Sequence, residues 1–149
     1  MRFQKERADI QKQQLEFLSR EGQFLTDVLG RMDVVEHTDS RTRDLSPRGV
    51  RSGVEALRSM LWAMTSLEEV FACMTIKDER AKAAPIISDR YDTVLQTFDV
   101  ATETVKLSET VLSTHNDWGP FLSSLRKQLG LQHETIKNIK ANFELNAKD

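Results

Sequence analysis

The chain of 149 residues holds a single cysteine, Cys73, so no disulfide can close within it and no thiolate zinc cluster can be built. Three prolines and six glycines leave little turn-forming material, which favours few, long elements. Charge of neither sign is in excess. With 21 Lys and Arg against 23 Asp and Glu the net charge is −2, which argues against a dedicated nucleic-acid binder, whose domain or face is strongly basic. No uncharged apolar run approaches the roughly 18 residues that would suggest a membrane span. The N-terminal Met-Arg-Phe-Gln-Lys-Glu-Arg is charged and no apolar stretch follows it, so no secretory signal is expected. With one cysteine, these features point to a reducing, cytoplasmic setting.

Several chemistries lack their residues. A di-iron bundle needs Glu-x-x-His pairs, and none of His37, His115 and His133 has Glu three residues before it. The chain has no His-Glu-x-x-His, no Gly-x-x-x-x-Gly-Lys and no Gly-x-Gly-x-x-Gly. Neither a metal nor a cofactor is expected.

What the chain does have is apolar residues at helical spacing, in four stretches. A first helix is expected from about Phe3 to His37. Phe3, Ile10, Phe17 and Phe24 repeat every seven residues, and Leu18, Leu25, Val28, Leu29, Met32 and Val35 widen the face. Its first turns are poor in apolar groups and should project or fray unless a partner covers them. Ser46 and Pro47 read as an N-cap followed by proline at the first helical position. A second helix then carries Val50, Val54, Leu57, Leu61, Met64 and Phe71. Pro85 disfavours helical geometry at Ala84 and marks the next break, so a third helix is expected from about Ile86 to Ser113, with Ile87, Tyr91, Val94, Phe98, Ala101, Val105 and Leu112 inward. Asp117 is the expected N-cap of a fourth helix with Phe121, Leu122, Leu125, Leu129, Ile136, Ile139 and Phe143 on one stripe. Three short connections between four long helices imply one domain over residues 1–149, an antiparallel four-helix bundle of all-α class.

The candidate functional residues fall into three groups. Apolar groups beyond the needs of one core suggest a partner surface: Trp62 lies far from the helix-two seam, and Val100, Leu107 and Val111 form a second strip on helix three. The corresponding partner is another protein or a second copy of the chain. Four arginines near the start of helix two, Arg41, Arg43, Arg48 and Arg51, could hold an anion at a helix N-terminus, against the alternative of pairing with local acids such as Asp39 and Asp44. Arg126 and His133 stand one heptad apart and share a helix face. That Arg-x6-His spacing is similar to the motif of helical ribonucleases of the HEPN kind, a resemblance that covers eight residues and implies His133 in acid–base work with Arg126 on phosphate charge.

The reading is therefore a non-catalytic interaction module, with a ribonuclease or a carrier of a small apolar ligand as alternatives. Two polar residues on apolar stripes stand out besides. Glu68 and Gln132 must each find a partner or reach the rim of the bundle.

Overall fold

The computed structural model describes residues 2–38, 48–115 and 117–148, except for the side chains of residues 2–7, 35, 37 and 38. Four helices account for nearly all of these: α1 Arg2–Thr38, α2 Arg48–Cys73, α3 Lys77–Val111 and α4 Trp118–Ala147. No strand occurs among the described residues.

The helices run up, down, up and down, as their cross-contacts show. Gln11 of α1 meets Glu68 of α2, whereas Asp33 and Glu36, near the other end of α1, meet Arg51 near the start of α2. Tyr91 meets Glu68 while a Cβ on Gly53 would touch Ala101, so α2 and α3 are also antiparallel. Lys140 with Asp92 and Arg126 with Glu109 give the same sense to α3 and α4. Neighbouring backbones pack closely along α1–α2, α2–α3 and α3–α4, but α1 and α4 approach one another at few points. Long polar side chains bridge that looser seam. Gln14 donates to the Ile139 carbonyl at 2.9 Å, Gln132 donates to Glu21, and the Arg31 guanidinium lies 5.3 Å from the Phe121 ring centre.

The expected stripes of α2, α3 and α4 point inward; on α1 the inward side is Leu18, Leu25, Val28, Leu29 and Met32, while Phe17 and Phe24 are partly buried and Ile10 is exposed. Leu18, Leu25 and Met32 interleave with Leu57, Leu61, Tyr91, Phe98, Val105, Leu122, Leu129 and Ile136, all at 0% exposure. Burial of a side chain of this size contributes about 1.5–3 kcal/mol, which is why long amphipathic helices with little else in their favour hold together. Trp118, at the start of α4, is also fully buried and closes the end of the bundle with its ring 5.8 Å from that of Phe121.

Two local expectations are corrected. The third helix begins at Lys77 rather than near Ile86, and Pro85 lies inside it. The break falls instead at residues 74–76. Apart from Asp78, residues 77–84 are strong helix formers, and Asp78 and Glu79 stand in the first turn, where acids complement the helix dipole. Pro85 and Ala81 are both exposed, so the hydrogen bond that proline cannot donate is lost on the wet side of α3. The segment is also clamped. Arg80 Nη1 donates to the carbonyls of Phe71 at 2.8 Å and Met74 at 2.9 Å, and its guanidinium stacks 4.2 Å from the Phe71 ring centre.

The second correction concerns the start of α4. Asp117 occupies the cap position but its side chain makes no cap hydrogen bond. His115 does the work: its Nδ1 accepts the backbone N–H of Asp117 at 3.3 Å and of Trp118 at 3.1 Å. On α1, Ala8, Asp9 and Ile10 are exposed, and amide side chains dock the helix from Gln11 onward. Phe3, Val35 and the Ser46–Pro47 cap lie outside the residues, or the side chains, that the structure describes.

Candidate functional site

On the α2–α3 face the helix packing leaves a row of uncharged residues uncovered. Val100, Leu107 and Val111 are 66%, 70% and 71% exposed along the outer side of α3. Thr93, Thr97 and Thr104 continue the same side at steps of three and four residues, so the strip repeats on a heptad. α2 supplies the neighbouring row. A Cβ on Gly49 would come within 3.0 Å of Thr104, which places that edge of α2 against the strip. Ala56, Ala63 and Val70 follow Gly49 at intervals of one heptad, and Ser52 and Ser59 lie beside them. None of these residues carries a charge. At the far end Val70 and Ile86 are both exposed. The sequence disclosed the α3 half of this face. The α2 half was missed because Gly, Ala and Ser leave no mark on an apolar pattern, although their seven-residue recurrence was there to be read.

Trp62 lies on a different face. Its indole is 45% exposed and lies across Gly22 of α1, where an added Cβ would stand 2.2 Å from Nε1. Arg58 stacks on the ring at 5.5 Å. The indole forms part of the floor of an open groove between α1 and α2, with Leu15 and Phe24, and Glu16, Asp27, Glu69 and Arg20 stand around it. Trp62 therefore does not join Val100, Leu107 and Val111 in one surface.

Arg126 and His133 share a face of α4, but each is held by a different acid of α3. Arg126 Nε donates to Glu109 Oε2 at 2.7 Å. That guanidinium bond holds the Glu109 carboxyl below its ordinary range and raises Arg126 in turn. His133 Nε2 lies 3.3 Å from Asp99 Oδ1, and its ring meets Phe98 edge-on at 6.3 Å. Both residues pin α4 to α3. In the arginine group, Arg51 binds Asp33 at 2.6 Å and Glu36 at 2.8 Å, so two carboxylates of α1 already neutralise it. Arg48 is exposed, and Arg41 and Arg43 lie outside the described residues.

The two polar residues on apolar stripes are both buried. Glu68, 1% exposed, forms no ion pair among the described residues; the Tyr91 hydroxyl donates to its Oε1 at 2.5 Å. Burial raises the Glu68 carboxyl above its ordinary value, and the Tyr91 hydroxyl and Gln11 amide offset this in part. Tyr91 itself is pushed up by burial and by the acid beside it. Gln132, 3% exposed, donates through Nε2 to Glu21, while its Oε1 has no partner among the described residues. Burial raises Glu21 too. Around Glu68 the bundle end opens into a cavity of about 140 Å3, lined also by Gln11, Gln14, Phe71, Arg80 and Phe143. Gln11, Gln14 and Arg80 are functional candidates that carry no signal in the sequence, since amides and arginines on a solvated helix flank are commonplace.

Among the described residues no group of His, Cys, Asp and Glu is placed to hold a metal ion, and no helix is long and apolar enough to cross a membrane. No protein-family model, curated protein or solved structure matches the chain.

Proposed function

We propose that the protein is a non-catalytic helical interaction module that associates with a second copy of itself through the α2–α3 face. One observation carries the reading: Val100, Leu107 and Val111 stand exposed in a heptad-spaced row with no charge in it. A row of this kind has the pattern of a helix–helix seam. The small residues beside it, Gly49, Ser52, Ala56, Ser59 and Ala63, allow a facing helix to approach closely. A surface without charge is best matched by another without charge, and a two-fold pair presents the same patch on both sides. The exposed, free Cys73 agrees with a reducing, cytoplasmic setting for the module.

The ribonuclease reading has less support, because Arg126 and His133 are each engaged by a separate acid of α3. A carrier of small apolar ligands is also less well supported, because the bundle-end cavity has amides, a carboxyl and a guanidinium in its wall.

The test is Leu107→Glu, compared with Leu131→Glu as a control. Leu131 is equally exposed, at 64%, but belongs to α4, away from the proposed seam. By size exclusion with light scattering, the wild type and Leu131→Glu should run as dimers and Leu107→Glu as a monomer of unchanged helicity. Identical masses for all three would overturn the reading.

A further inference from the structure

We propose that the bundle-end cavity binds a small organic cation bearing a primary ammonium group. This site is separate from the α2–α3 face and does not depend on it. The cavity measures about 140 Å3, room for several waters at about 30 Å3 each or for a ligand of a few heavy atoms.

Its walls are rich in acceptors. The Gln11 and Gln14 amides face the backbone carbonyls of Glu68 and Ile139, which accept only, so in each case the nitrogen must be the atom that points there. Neither amide oxygen has a donor among the described residues. Glu68 adds a carboxyl that is 1% exposed and forms no ion pair among the described residues. The one cation in the wall, Arg80, spends Nη1 on the Phe71 and Met74 carbonyls and turns its charge onto the C-terminal end of α2. The Phe71 ring already carries the Arg80 guanidinium at 4.2 Å, and Phe143, its centre 5.0 Å from that of Phe71, adds aromatic surface to the wall. A buried carboxyl with no ion pair and amide oxygens with no donor among the described residues, beside the Phe143 ring, together ask for a compact donor with positive charge. An ammonium group on a short alkyl stem meets all three.

Methylammonium is the probe. Full-length protein is titrated with methylammonium chloride or with sodium chloride at equal ionic strength, and melting temperature and side-chain amide NMR signals are followed. Glu68→Gln is measured alongside, because glutamine keeps the shape of the site and an acceptor for Tyr91 while removing the charge. The expected result is a saturable rise in Tm and a shift of the Gln11 and Gln14 amide signals with methylammonium only, both lost in Glu68→Gln. No saturable response, or an equal response from a folded Glu68→Gln, would overturn the proposal. Should Glu68→Gln fail to fold, Gln14→Leu serves in its place, and undiminished binding by that variant would also count against the site.

Discussion

The Trp62 indole lies against Gly22, so closely that an added Cβ would stand 2.2 Å from its Nε1. Glycine inside a helix costs about 1 kcal/mol relative to alanine. At Gly22 that cost makes room for an aromatic ring from α2. At Gly30 and Gly130 nothing lies within 4 Å of an added Cβ.

The three glycines should therefore respond differently to alanine. Gly30→Ala and Gly130→Ala should each raise stability by about 1 kcal/mol in urea denaturation. Gly22→Ala should show no such gain, and its tryptophan emission should move to the red as the indole is expelled. Trp118 is fully buried and remote from α1 residue 22, so the change reports on Trp62. Equal stabilisation at all three positions would contradict the Gly22–Trp62 contact.

Glu68 gives a pH signature with a definite sign. Its folded value is raised by burial from an ordinary 4.5. A raised acid favours the protonated folded state, so its contribution is complete below the unfolded value and is lost as pH climbs through the folded one. Glu68→Gln removes this loss. The variant should match the wild type in acid and gain on it as pH rises to neutrality, measured as the difference in Tm across a pH series. A difference that shrinks with pH would contradict the assignment.

The Tyr91 hydroxyl is the donor that Glu68 depends on. Tyr91→Phe keeps the packing against Phe143, whose ring centre is 6.0 Å away, but strands the acid. A cost of about 1–3 kcal/mol is expected in denaturant titrations.

Arg80 should matter most for the joint between α2 and α3. Arg80→Ala removes two hydrogen bonds to the end of α2 and the stack on Phe71. Amide exchange should speed up at residues 72–84 and change little in the middle of α3. Uniform acceleration along the chain would show that the clamp is not local.

Arg126 and His133 act as ties between helices in this account, each to its own acid. RNA incubated with the wild type or with His133→Ala should remain intact in both cases. Cleavage by the wild type alone would restore the ribonuclease reading.

The bundle was legible because burial acts on periodicity. Leu57, Leu61 and Met64 recur at steps of four and three residues, as do Val94, Phe98 and Ala101, steps that a helix gathers on one side, and all are buried. The start of α3 was not legible because Pro85 is the strongest local stop signal, whereas the Arg80 clamp joins residues that the local pattern does not link. The His115 cap was obscured for a similar reason, since Asp is the commoner cap and nothing local shows which side chain turns back. Of the candidate surface, the Val100, Leu107 and Val111 strip was legible as apolar excess. The docking of Gln11 and Gln14 depends on tertiary distances that no one-dimensional pattern encodes.

Sedimentation equilibrium of the wild-type chain over a wide concentration range asks most directly whether the exposed row on α3 is a seam. The account predicts a mass that climbs to twice that of one chain and stays there. A mass equal to one chain at every concentration would contradict it.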